Sequence, residues 1–156
     1  MSRRELTERI SLEVRRSQNR TDAYDEAVGD ALGVNRTDMR CIDVLDQEGR
    51  MTAGRLASLT GLTTGAITTV IDRLERAGFA QRVRDERDRR RVHVELTELA
   101  RQKSWEFYEP LAVLAQKLYA RYTVEQLELV LDFLENAAVL AEDTLTELRR
   151  RLGQSG

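Results

Sequence analysis

The sequence predicts a mainly α-helical chain with a small two- to three-stranded β wing. Three observations lead there. Apolar residues recur at helical spacing over most of the 156 residues, the period changes to two only between about 80 and 96, and the last apolar stripe is too long for one small core. Hydrophobic residues make up 41% and charged residues 33% of the chain. The usual charged share is about 25%, so the helices are expected to carry heavily solvated outer faces rather than to be disordered.

The elements follow in order. Leu6, Ile10 and Val14 recur every four residues, so 3–28 reads as a helix that Gly29 and Gly33 end. Asn35 or Thr37 caps a second helix with Met39, Ile42 and Leu45 facing inward, and Gly49 stops it. Thr52 caps a short third helix over 53–60 carrying Leu56 and Leu59, and Gly61 makes a tight turn. Thr63 caps a fourth helix ending at Ala77, with Gly78 in the left-handed position and Phe79 as the following hydrophobic contact. Ala80–Arg84 and Arg91–Leu96 are short strands, Val92, Val94 and Leu96 alternating with His93 and Glu95, and the polar run 85–90 is the hairpin tip. Thr97-Glu98-Leu99-Ala100 opens a long helix that Pro110 should kink or break.

A last helix over about 124–151 bears Leu127, Leu131, Leu134, Ala138, Ala141, Leu145 and Leu148 on one stripe. That stripe extends beyond any core the middle of the chain supplies. The two ends of the chain are therefore expected to pair with each other and with a second copy, making a homodimer. The chain divides into an N-terminal helix (1–34), a central lobe (35–97) and C-terminal dimerisation helices (98–156).

Charge is uneven. Residues 1–49 carry net −3, 50–91 net +5 and 92–156 net −4, and all ten basic residues of the middle block are arginine. Arginine suits bidentate phosphate and guanine contacts, so the block is expected to meet a polyanion. The spacing of Ala57, Gly61, Ile67 and Val70 is that of two helices crossing through a short turn. With 67, 70, 71 and 74 buried, helical geometry leaves Thr64, Gly65, Thr68, Thr69 and Asp72 facing out. This small, hydroxyl-rich face fits a major groove, and the free amides near Thr63, Thr64 and Gly65 suit a backbone phosphate. Double-stranded DNA is the expected partner, and a helix-turn-helix that contacts protein is the rival reading.

The order of residues in 52–97 resembles the MarR family of winged helix-turn-helix regulators. Leu62 through Gly78 looks like the family's recognition helix and its exit. Asp85-Glu86-Arg87-Asp88-Arg89-Arg90, followed by Val92-His93-Val94-Glu95-Leu96-Thr97, looks like its wing. The resemblance implies a winged helix-turn-helix with N- and C-terminal dimerisation helices and a homodimer on a pseudo-palindromic operator. The implied function is transcription regulation, as a repressor released by a small aromatic or anionic ligand. By position, Arg90 is the arginine that enters the minor groove, Asp88 orients it, and Arg87 and Arg89 lie near phosphates. Arg73 is a phosphate contact or a structural ion pair. Many members carry a long polar side chain where Thr69 stands, which shifts base recognition here toward methyl contacts and DNA shape.

Other residues limit the remaining classes. One cysteine excludes an internal disulfide framework and a Cys-based zinc site, and one histidine leaves no room for a His-rich metal centre. Nor is there a Gly-rich phosphate loop, so the chain reads as no enzyme, with no cofactor and no metal. Cys41 reads as a small buried residue, with a thiol-based redox switch as the alternative. His93 alternates onto the outer side of its strand. Trp105, Phe107, Tyr108 and Tyr24 either pack in a core or line an effector pocket, for which Tyr24, Trp105 and Tyr108 are the candidates. No apolar run follows the N-terminus, so neither a signal peptide nor a membrane contact is expected, and the chain reads as cytoplasmic.

Overall fold

Capping chemistry sets most element boundaries in the computed structural model, which describes residues 1–85, 88 and 90–153. Helix α1 (Arg3–Leu32) starts at a capping box: the Ser2 hydroxyl accepts from the Glu5 amide and the Glu5 carboxylate from the Ser2 amide. Those hydrogen bonds hold the Glu5 carboxyl below its ordinary pKa. The helix runs through Gly29, past the expected end, and closes at Gly33. Gly29 is buried, and a Cβ there would lie 3.1 Å from both Met39 Cγ and the Val34 carbonyl oxygen. Its small size serves a close approach of the next helix, not a turn.

Asn35, rather than Thr37, caps α2 (Arg36–Glu48), its side chain accepting from the Asp38 amide at 3.0 Å. β1 (Met51–Thr52) leads into α3 (Ala53–Thr60), which Thr52 caps, and Thr63 caps α4 (Thr64–Arg76). At the end of α4 the Phe79 amide donates to the Leu74 carbonyl and the Gly78 amide to the Glu75 carbonyl, the expected left-handed cap. β2 (Ala80–Arg84) and β3 (Val92–Leu96) form the hairpin, with Ala80 opposite Leu96 and Arg84 opposite Val92. β1 adds a third strand on the other edge of β3, Met51 facing Val94, in the order β1-β3-β2.

The chain forms two compact units, Met1–Trp105 and the part from Glu106 onward. In the first, Leu56, Ile67, Ile71, Leu74, Val94 and Cys41 are fully buried. Leu59 is only half-buried; the position sealed at the end of α3 is Thr60, whose hydroxyl donates to the Leu56 carbonyl at 2.7 Å. Val92 lies at the loop end of the hairpin and is exposed, whereas His93 is half-buried, with Nδ1 3.7 Å from Asp85 Oδ2. His93 thus shares with Glu95 the face opposite the buried Val94 and Leu96, as the alternation predicts, though it is partly covered there. Thr97 links three elements: its hydroxyl donates to the Gly78 carbonyl at 2.6 Å, accepts from the Ala100 amide, and its own amide donates to the Phe79 carbonyl.

Helix α5 (Glu98–Tyr119) continues through Pro110, so of the two expected effects of that proline the break does not occur. Proline removes one amide donor, a loss a long helix tolerates when its other bonds remain. In the second unit Thr123 and Gln126 form a capping box that starts α6 (Val124–Arg151). No residue of α6 is buried, and Leu131, Leu134, Leu145 and Leu148 of the expected stripe are exposed.

Candidate nucleic-acid interface

The helix-turn-helix is held by a small set of buried side chains. Ala57 on α3 and Ile67 and Val70 on α4 are buried where the two helices cross. Gly61 takes a left-handed φ of 70°, and the Leu62 amide donates back to the Ala57 carbonyl at 3.0 Å. A side chain at 61 would strain that turn. The same burial leaves Thr63, Thr64, Gly65, Thr68 and Thr69 exposed on the opposite side.

The threonines of that face are partly committed. The Thr68 hydroxyl donates to the Thr64 carbonyl at 2.9 Å and the Thr69 hydroxyl to the Gly65 carbonyl at 3.1 Å. What remains on offer is methyl groups and oxygen lone pairs. Thr63 Oγ1 accepts from the Ala66 amide, so the amides of Thr64 and Gly65 remain at the start of α4 with no acceptor in their own helix. This is the geometry of a helix end that receives an anion.

Arg73 has a structural partner. Its Nε and a terminal nitrogen grip the two oxygens of Asp38 at 3.1 and 2.5 Å. The Asp38 side chain is 5% exposed and that of Arg73 36%. The bidentate pair ties α4 to α2 and holds the guanidinium above its ordinary pKa, chiefly through the hydrogen bond to Asp38. Of the two roles the sequence left open, the ion pair is the one formed.

At the wing, the Asp85 amide donates to the Arg91 carbonyl at 2.9 Å and the Arg91 amide to the Asp88 carbonyl at 2.8 Å, which draws the two strands together. The Asp88 carboxylate accepts from the Arg90 amide at 3.1 Å and lies 3.5 Å from Arg91 Nε. Asp88 therefore holds Arg90 through its main chain, while its side-chain partner is Arg91. Arg90 is exposed, and among the described residues its guanidinium has no ion-pair partner. Arg87 and Arg89 lie outside the described residues.

Sequence reasoning missed a second ion-pair group. Arg82 on β2 reaches Asp72 Oδ1 at 2.7 Å and pairs with Glu75. The spacing of Asp72 and Glu75, one turn apart on α4, was a readable sign that a cation faces them.

Cys41 is fully buried and its thiol is pushed up to about 11 by burial and then by Asp38. None of the aromatic candidates is fully buried within the single chain. Tyr24 is 37% and Trp105 57% exposed, and Phe107 and Tyr108 are half-buried. A cleft of about 470 Å³ lies between α1 and α2, but Asp22, Asp25, Asp43, Arg36 and Arg40 are among its lining residues and Tyr24 and Trp105 are not. Among the described residues no group of three or more His, Cys, Asp or Glu is placed to hold a metal ion, and no helix is long and apolar enough to cross a membrane.

Known proteins share this arrangement. The family model described as MarR family matches residues 34–92. The HTH-type transcriptional regulator YcgE of Bacillus subtilis (strain 168) is 37% identical over 149 residues, covering 96% of this chain and 97% of that protein. Streptococcus pneumoniae FabT, solved in complex with DNA, has a TM-score of 0.66 at 25% identity, covering 88% of this chain and 99% of that chain. NadR in complex with 4-hydroxyphenylacetate shares the fold, with a TM-score of 0.61 at 21% identity over 83% of this chain and 92% of that chain. The chain belongs to the MarR family of transcriptional regulators and carries its DNA-binding winged helix-turn-helix.

Proposed function

We propose that the protein is a cytoplasmic homodimeric repressor that binds a pseudo-palindromic operator, with half-sites about one helical turn apart. The observation that carries this reading is the exposed threonine face of α4 beside a wing whose Arg90 guanidinium has no ion-pair partner among the described residues. Thr63, Thr64 and Gly65 would receive a phosphate at the helix start, and Thr68 and Thr69 would meet base edges. Arg90 would enter the minor groove, where narrow A·T-rich DNA concentrates negative potential. Asp88 would hold it there, with Arg87 and Arg89 near phosphates, while Arg73 keeps α4 seated on α2. FabT, a protein of this fold, was solved on DNA.

The dimer reading rests on the unburied apolar residues of α6 and on Leu6, Ile10 and Val14 of α1, all exposed in the single chain. A stripe of that length in water is costly unless a partner covers it. Release by an aromatic or anionic small molecule is supported by the exposed Trp105 and by 4-hydroxyphenylacetate in NadR, a protein of this fold. A thiol switch is opposed by the burial and raised pKa of Cys41.

Titrating the protein against the promoter DNA beside its own gene, with random duplex as control and at two salt concentrations, tests the reading. The flanking DNA should bind more tightly and the affinity should fall steeply with salt. Arg90→Ala should weaken that binding by about ten-fold or more, the loss of one good groove contact. Undiminished affinity in Arg90→Ala removes the wing from the mechanism. Equal weak binding of both duplexes by the unmodified protein favours the protein-contacting alternative.

A further inference from the structure

We propose that Arg82 is a positioning residue for DNA binding: by bridging Asp72 and Glu75 of α4 to the first wing strand, it sets the angle between the recognition helix and the wing. The inference rests on the DNA reading above. Three contacts converge. One terminal nitrogen of the guanidinium lies 2.7 Å from Asp72 Oδ1, the other pairs with Glu75, and the Arg82 amide donates to Glu75 Oε1 at 3.0 Å. Two carboxylates one turn apart are thus held by a single side chain and its own main chain, which fixes both the distance and the rotation of β2 against α4.

Leverage makes the contact matter. Arg82 sits at the middle of β2, opposite Val94, and the hairpin runs on past Arg84 to the tip that bears Arg90. At about 3.3 Å per residue the tip lies roughly 10–15 Å beyond the clamp. A tilt of about 10° at Arg82 then moves Arg90 by about 2–3 Å, more than the tolerance of a hydrogen bond. The clamp also neutralises Asp72, an exposed carboxylate one turn beyond Thr68 on the same side of α4. Because its guanidinium is committed to two carboxylates, Arg82 is not a phosphate ligand.

The test compares Arg82→Gln, Arg82→Lys, Asp72→Asn and the Arg82→Gln/Asp72→Asn double variant. The probes are a duplex enriched from a random-sequence pool by the unmodified protein and an unrelated duplex of equal length, each titrated by fluorescence anisotropy across a salt series. Asp72→Asn should weaken binding to the enriched duplex about ten-fold even though it removes a negative charge near DNA. Arg82→Gln should do the same, the double variant should be no worse than Arg82→Gln, and affinity for the unrelated duplex and the salt slope should hold. Arg82→Lys keeps the charge without the fork, so it should show an intermediate loss, and it decides the matter if Arg82→Gln loses its helical circular dichroism. Tighter binding by Asp72→Asn, or a salt slope reduced by about one in Arg82→Gln with equal losses on both duplexes, overturns the proposal. If the unmodified protein enriches no sequence, the DNA reading fails and the proposal with it.

Discussion

Asp43 offers a direct check on how α1 and α2 meet. It lines the cleft between them and is half-buried, and its carboxyl is pushed up to about 6, first by burial and then by Asp25 and Asp46. Asp22, Glu26 and Asp30 of α1 face the same cleft, with Arg36 and Arg40 of α2. A carboxyl whose folded pKa lies above its unfolded value binds more protons in the native state. Its stabilising protonated form is therefore complete below about pH 4 and is lost as pH rises through about 6. The rise from an ordinary 3.8 to about 6 corresponds to about 3 kcal/mol as a ceiling. The cleft is open to water, and screening reduces this to about 1–2 kcal/mol. Asp43→Asn keeps the shape and removes the charge. Urea unfolding at one fixed protein concentration should show the variant more stable by that amount at pH 8, with the advantage shrinking as pH falls through about 6 and approaching zero only below about pH 4, under the unfolded carboxyl's ordinary 3.8. A pH-independent difference would refute the linkage. A variant less stable at pH 8 would mean that Arg36 or Arg40 compensates the carboxylate fully.

Three further outcomes are expected. Arg73→Met leaves the buried Asp38 carboxylate unpaired and should cost about 2–4 kcal/mol in urea unfolding, whereas Asp38→Asn, which strands only a third-exposed guanidinium, should cost about 1 kcal/mol; equal losses would contradict this asymmetry. The Cys41 thiol should resist a disulfide reagent at about pH 7.5 in the folded protein and react promptly in denaturant, and Cys41→Ser should leave DNA affinity unchanged with or without peroxide. Thr97→Val removes a hydroxyl that both donates and accepts and should cost about 1–2 kcal/mol, so unaltered thermal stability would show that the link to Gly78 carries nothing.

Most of the fold is legible in the sequence because caps and periods are local. Thr52, Thr63 and the Gly78-Phe79 exit each act within one turn of their own helix, and all three stand where the sequence puts them. What is not legible depends on partners distant in sequence. Gly29 reads as a stop signal until Met39 is seen against it, and a two-residue strand such as β1 is too short to show any period. The threonine face of α4 follows from helical geometry alone. The ion pairs Arg73–Asp38 and Arg82–Asp72 do not, since nothing in one strand or helix says which carboxylate its arginine will find. Nor does the sequence say how deeply the aromatic residues sit within one chain: Trp105 is exposed, while Phe107 and Tyr108 are half-buried.

The distribution of burial has a consequence for how damage to this protein would appear. Among the described residues, every buried hydrophobic side chain lies between Val28 and Ala100, while α6 buries none. Substitutions inside that span act on an equilibrium within one chain and are felt at any dilution. Substitutions on the open apolar side chains of α1 and α6 act only through whatever covers them from outside, so their effect scales with the logarithm of protein concentration. A cell that makes little of the protein would tolerate the first kind of change as well as a cell that makes much. The second kind it would feel far sooner.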